Sequence, residues 1–463
     1  MKRILVGFWL WLLLAGCSLG DVGGRIDEII GRAALKNVEF SIQVVKASSG
    51  KKVYSHNSRL AMVPASNMKL VTTAAALKFL GSDYEFRTRV GLCGDRLVVV
   101  GSGDPLLGDA ATDQRYGKTA GWIFSDIVGL LRARGVKTVK NIVIDSSIFD
   151  DERVNPNWPK EQLNRWYACE VSGVNYNGNC VAISARKSGG GVVLSIEPAT
   201  SFIKMVNKVT VAASGSSVIG SYRSGDVNQI EVFGKCSGDA GPIDVAIEHP
   251  AVFFGYLLAE HLVEAGIRPE GELMEKAVGD ECQFKVLREY RHTIGDCLLR
   301  CNKDSFGLAA ECLSKSIAAK AAGGKNGGWE RGRGLIGSFL TGLGIERSEF
   351  YIDDGSGLSR QNELSSNAIT RVLLSVYRSK DWELYKGSLA VGGVDGTIRK
   401  YFGEKKYRGR VFGKTGYIRG VKSFSGVCST ADGDFIFSAL GNGANGRTRE
   451  ALNDIAKAII DSK

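Results

Sequence analysis

Two short motifs near opposite ends of this chain constrain its fold more than anything between them. Ser66-Asn67-Met68-Lys69 lies early in the sequence and Lys414-Thr415-Gly416 lies far downstream. A serine is a poor nucleophile at neutral pH unless a base sits beside it. Residues three apart on a helix share a face, so the spacing puts Lys69 within reach of the Ser66 hydroxyl. A lysine acts as that base only if burial and nearby positive charge lower its pKa. Lys414 is the candidate for that charge, so the two ends of the chain must meet.

The local context separates this Ser-x-x-Lys from accidental ones. The same spacing occurs at Ser48/Lys51, Ser184/Lys187 and Ser201/Lys204, but the first is a turn and the others fall in strand-like runs. Only Ser66 opens a helix, with Pro64 before it and Leu70, Ala74, Leu77 and Leu80 as apolar positions up to Gly81. Downstream, Arg410–Ile418 alternates in polarity, and Ser423–Thr430, an Asp432-Gly433 turn and Phe435–Leu440 follow. This pattern predicts an antiparallel meander. Gly416 would let substrate backbone approach closely, with Lys414 and Thr415 aimed at a carboxylate.

Together these are two of the three motifs of penicillin-binding proteins and serine β-lactamases. For the third, the best match is Asn302-Lys303-Asp304-Ser305-Phe306-Gly307-Leu308-Ala309-Ala310-Glu311. It resembles the signature of the D-alanyl-D-alanine carboxypeptidase/endopeptidase family, the class C low-molecular-mass penicillin-binding proteins. Gly101-Ser102-Gly103-Asp104-Pro105, Asp354-Gly355-Ser356-Gly357-Leu358-Ser359-Arg360 and Gly393-Val394-Asp395-Gly396-Thr397 resemble further motifs of that family, in order. The resemblance spans nearly the whole mature chain. It implies a serine D-Ala-D-Ala carboxypeptidase/endopeptidase acting on peptidoglycan stem peptides, acylated by β-lactams and needing no cofactor or metal. Ser66 would be the nucleophile, Lys69 the base and Ser305 the proton relay. Lys414, Thr415, Gly416, Tyr417 and Arg419 would bind substrate, and the N–H groups of Ser66 and Tyr417 would form the oxyanion hole.

Three positions depart from the family pattern. Gly307 stands where the third motif has asparagine, so a side-chain donor to the substrate carbonyl is missing. Losing one such donor costs a few kcal/mol, about a hundredfold in rate. Tyr417 stands where threonine is usual, and Arg419 where a small polar residue is usual. Arg419 reads equally well as a carboxylate ligand and as a solvated charge. The alternative to an enzyme is a non-catalytic cell-wall-binding lipoprotein with a degenerate site. A Ser-Lys esterase or dedicated β-lactamase is the intermediate reading, and the long insertion argues against the latter.

The N-terminus bears on location. Lys2 and Arg3 precede an apolar run, Ile4–Leu14, too short to span a bilayer. Leu14-Ala15-Gly16-Cys17 resembles a bacterial lipobox. That implies that residues 1–17 are a lipoprotein signal segment, that cleavage leaves Cys17 as the lipidated first residue, and that the protein is periplasmic and membrane-anchored in the bacterial envelope. Ser18 suits the outer membrane of a two-membrane cell. The net charge of +11 over 463 residues suits an anionic neighbour such as wall polymer or lipid headgroups. Nucleic acid is excluded as a partner, since no binding motif accompanies the charge.

Ten cysteines leave an odd number once Cys17 is set aside. Cys169 and Cys180 can bridge a loop, while Cys297, Cys301 and Cys312 read as helix-core positions without zinc-site spacing. The histidines His56, His249, His261 and His292 lack the G-x-S-x-G elbow of a Ser-His-Asp hydrolase.

The fold expected is α+β. Residues 24–90 and 291–463 form one discontinuous catalytic domain, with helices packed on an antiparallel sheet. Between them, 91–290 is rich in short Val- and Ile-dense, glycine-punctuated segments, read as inserted β-rich domains.

Overall fold

The computed structural model describes residues 20–223, 225–279 and 281–462; the leader and Cys17 lie outside them. Strand Glu39–Lys46 pairs with its hairpin partner Lys52–His56 on one side and with Gly433–Asn442 on the other. The register joins Glu39 to Asn442 and Lys46 to Phe435, so the first and last strands are neighbours. The meander Val411–Ile418, Val421–Thr430, Gly433–Asn442 completes this antiparallel sheet, with the short Ala390–Val391 at its edge. Burial runs almost unbroken along the central strands, because successive side chains point to opposite faces and both faces are covered.

Helices cover both faces. Gly20–Ile30 and Thr448–Ile460 bury Ile26, Leu452, Ile455 and Ile459 against Phe424 and Phe437. On the other face Met68–Leu80 packs with Ile294–Lys303, Gly307–Ala321 and Ser366–Tyr377 around Leu70, Val71, Leu313 and Ile436. The Met68–Leu80 helix is buried around its whole circumference from Met68 to Leu77. Lys69 is therefore an ammonium side chain in the wall of a core, which is costly unless it is partnered.

The excursion out of this domain leaves through strand Glu85–Cys93 and returns through Lys285–Thr293, which pair antiparallel from Glu85↔Thr293 onward. Beyond them, Arg96–Val100, Ile142–Asp145 and Leu273–Glu275 run parallel to one another. Parallel pairing needs a crossover connection, and the helices Trp122–Arg132 and Pro250–Glu264 supply it. This part of the insertion is therefore a mixed α/β unit. Two three-stranded sheets form the rest, one around Cys180–Ser188 and one around Gln229–Cys236. Within the excursion, Phe149, Trp158, Cys169 and Val171 fold back into the core of the catalytic domain.

The cysteines correct one expectation. The disulfide joins Cys93 to Cys282, which flank the paired strands, whereas Cys169 and Cys180 are buried free thiols. Cys93 ends one strand of the exit pair and Cys282 precedes the other, which brings them together as the sheet forms. The bond spans 189 residues of sequence. Replacing both cysteines by serine is expected to destabilise the insertion by about 2–4 kcal/mol, read as a lowered urea midpoint. An unchanged midpoint would show that strand pairing alone fixes the exit.

Candidate active site

The serine nucleophile motif sits on a strained corner. Ala65 adopts a left-handed conformation (φ 47°) just before Ser66, a cost of about 1–2 kcal/mol for a residue with a Cβ. Three contacts hold the corner. The Asn67 side chain donates to the Lys414 carbonyl (2.8 Å) and accepts from Ser425 Oγ (2.5 Å). Ser423 Oγ donates to the Pro64 carbonyl at 2.7 Å. Gly357 lies so close behind that a Cβ there would fall 1.9 Å from the Ala65 oxygen. From the front, a Cβ at Gly416 would lie 3.0 Å from the Ser66 nitrogen, so glycine is what lets the strand approach.

Four of the singled-out side chains converge here. Lys69 Nζ donates to Ser66 Oγ at 3.2 Å and to the Ser356 carbonyl at 2.7 Å. Lys414 Nζ donates to Ser305 Oγ at 2.8 Å and to the Thr415 carbonyl at 2.8 Å. Ser305 is itself left-handed (φ 65°), at the junction of two helices. Thr415 Oγ1 donates to Thr397 Oγ1 at 3.1 Å, and Arg449 holds the Gly416 carbonyl at 2.9 Å. Tyr417 is 68 % exposed. Arg419 lies at the exposed turn beyond the strand, and none of the hydrogen bonds above involves its side chain.

Burial pushes both ammonium groups down. For Lys69, burial outweighs the opposing pull of Cys301, Glu311 and Asp354. Lys414 falls further, through burial and then through the charge of Lys69. The neighbouring charges differ: Glu311 and Asp354 favour a charged Lys69, whereas Lys69 and Arg449 oppose a charged Lys414 and Asp304 favours it.

Gly307 opens the helix Gly307–Ala321. A Cβ there would lie 3.1 Å from the Tyr167 carbonyl, so the space an asparagine would enter is already narrowed by backbone from the insertion.

Several residues of this assembly were not legible as site residues. Glu311 accepts from the N–H groups of Gly355 and Ser356 at 2.9 and 2.7 Å, and from Trp329 Nε1 at 2.7 Å. Asp354 accepts from the N–H groups of Gly357 and Ser359, both at 2.7 Å, and from Trp158 Nε1 at 2.8 Å. Lys303 pairs with Asp395 at 2.7 Å, joining the Asn302-Lys303 and Gly393–Thr397 motifs. The signal was present, since all of these except the tryptophans fall inside the ordered motifs. Their spacing carries no information about which motif holds which.

Residues 22–462 match the D-Ala-D-Ala carboxypeptidase 3 (S13) family. The chain belongs to that family. A D-alanyl-D-alanine carboxypeptidase of Actinomadura sp. (strain R39) is 29% identical over 468 residues, covering 95% of this chain and 84% of the relative. Penicillin binding protein 4 (dacB) of Haemophilus influenzae has a similar fold, with a TM-score of 0.77 at 21% identity over 94% of this chain and 98% of the other. A second structure of it, complexed with a β-lactam, gives a TM-score of 0.74 at 20% identity over 96% and 99% of the two chains. As an S13 family member, the chain is a serine D-Ala-D-Ala carboxypeptidase built on an α+β fold.

Proposed function

We propose that this S13 enzyme cleaves peptidoglycan stem peptides through an acyl-enzyme on Ser66, releasing terminal D-alanine or opening D-Ala cross-links. The observation that carries the reading is the buried Lys69 Nζ, 3.2 Å from Ser66 Oγ and oriented by the Ser356 carbonyl. A substrate carboxylate arriving at Lys414 favours a charged Lys414, and like-charge repulsion then favours a neutral Lys69. Neutral Lys69 takes the Ser66 proton as Ser66 Oγ bonds to the carbonyl carbon. The C–N bond breaks, and the amine leaves with a proton delivered through Ser305, which Lys414 holds at 2.8 Å. Water then releases the acyl group.

A β-lactam would enter the same sequence and stop at the acyl-enzyme. The leader and Cys17 support a lipid-anchored protein of the bacterial envelope. The second reading, a wall-binding protein without activity, is favoured by Gly307.

A fluorescent penicillin distinguishes them. The protein lacking residues 1–17 is expected to be labelled covalently, and Ser66→Ala is expected to lose the label. A folded wild-type protein that takes no label would leave only the binding reading.

A further inference from the structure

Two carboxylates lie buried behind the nucleophile, and the reaction sequence above gives neither a role. Glu311 and Asp354 are each 1% exposed. Each is capped by one indole, Trp329 on Glu311 and Trp158 on Asp354, and the two indoles pack edge to face at 5.7 Å. Between them they hold four backbone N–H groups within residues 355–359: Glu311 takes those of Gly355 and Ser356, and Asp354 those of Gly357 and Ser359. Thr72, one turn after Lys69, donates to the Gly355 carbonyl at 2.7 Å. The next carbonyl, that of Ser356, receives the Lys69 ammonium at 2.7 Å.

We propose that Glu311 is a positioning residue for Lys69. Through the Gly355 and Ser356 N–H groups it fixes the carbonyl that orients the Lys69 nitrogen, and with Asp354 it sets the negative charge that this nitrogen faces. A carboxylate suits the task because both of its oxygens accept, so that two backbone N–H groups and an indole can be held at once, and because the bonds are charge-assisted when it is ionised.

The electrostatics follow from the same geometry. Two carboxylates this close and this dry resist ionising together. Burial and the Asp354 charge push Glu311 up to about 7. The other titratable groups facing Glu311 are Lys69 and the thiols Cys169, Cys301 and Cys312. Burial drives all three thiols up, Cys169 and Cys301 to about 12, so they stay neutral across the working range. Lys315, one turn along the helix, is engaged by Asp150 at 2.7 Å. Asp354, pushed up by burial, and Lys414, pushed down by burial, also face Lys69, and Glu311 is the carboxylate there brought to about neutrality. When it ionises it favours the Lys69 proton and opposes release of the base.

The inference rests on Lys69 acting as the base for Ser66, and the test separates the two. The rate of labelling by a fluorescent penicillin is followed from about pH 5 to 10 in wild type, Glu311→Gln and Trp329→Phe. In wild type the rate rises with pH as Lys69 loses its proton. In Glu311→Gln the midpoint is expected about half a pH unit or more lower, because a charge favouring the Lys69 proton is gone. The plateau is expected to fall about tenfold, since the Gly355 and Ser356 N–H groups are held by different oxygens and an amide puts an NH2 donor in place of one of them. Trp329→Phe keeps the carboxylate but withdraws one hydrogen bond from its charged form, so its midpoint moves the same way by less. A purely structural role would lower the plateau and leave the midpoint in place. An unmoved midpoint in the folded variants overturns the inference, and Trp329→Phe decides alone if Glu311→Gln does not fold. A wild type that takes no label is a different failure, that of the base assignment itself.

Discussion

Lys69→Met is expected to lower the rate of Ser66 acylation by about 10³-fold or more while the fold survives. Methionine fills most of the lysine volume in a helix that is buried all round, so packing changes little. What goes is the side-chain nitrogen bonded to Ser66 Oγ at 3.2 Å. Stopped-flow or gel readout of fluorescent-penicillin labelling measures the loss, and a rate within tenfold of wild type would remove Lys69 from the mechanism. The stability of this variant carries its own sign. Lys69 has a pKa lowered by burial, so the folded state binds its proton less readily than the unfolded chain. The resulting penalty is present below the folded-state value and disappears as pH rises toward the ordinary value of about 10.4. Lys69→Met deletes that penalty, so thermal unfolding near neutral pH is expected to occur at an equal or higher temperature than in wild type. Above about pH 10.4 the advantage is expected to vanish.

The second large effect is selective. Lys414→Met is expected to reduce kcat/KM for peptides ending in D-Ala-D-Ala by about 10²–10³-fold, the cost of leaving a substrate carboxylate without its partner in a dry site. An ester or thioester substrate that lacks the terminal carboxylate should lose far less, because Ser66 and Lys69 remain. Equal losses on both substrates would mean that Lys414 acts on the nucleophile and not on the carboxylate. The buried position of Lys414 and its bond to Ser305 make some common loss certain, so the ratio between substrates is the decisive reading.

What the sequence revealed follows the range of each interaction. The Ser66–Lys69 contact is one helical turn long and the Lys414 strand belongs to a local meander, so both could be read from spacing. The parallel strands Arg96–Val100 and Ile142–Asp145 could not, because a short apolar run looks the same in a hairpin and in a crossover unit. The Cys93–Cys282 bond depends on two strands meeting across the whole insertion. Glu311 was visible as the last residue of a motif, but its partners are backbone N–H groups, and those leave no trace in residue identity. Gly307 is the instructive case. Sequence presents it as a missing donor, whereas the fold places the Tyr167 carbonyl 3.1 Å from where its Cβ would be. The cost of the lost asparagine and the presence of the insertion segment are one question, not two.

That segment makes the long excursion more than an ornament. It leaves and re-enters through side-by-side strands, so its length can change with little effect on the sheet beside the nucleophile. Yet Trp158 caps Asp354, and the backbone at Tyr167 stands over Gly307. A graft of this kind carries both part of the wall of the site, at Tyr167, and part of the support behind the base, through Trp158. Any change to it that alters substrate fit is therefore also placed to alter how readily Lys69 gives up its proton.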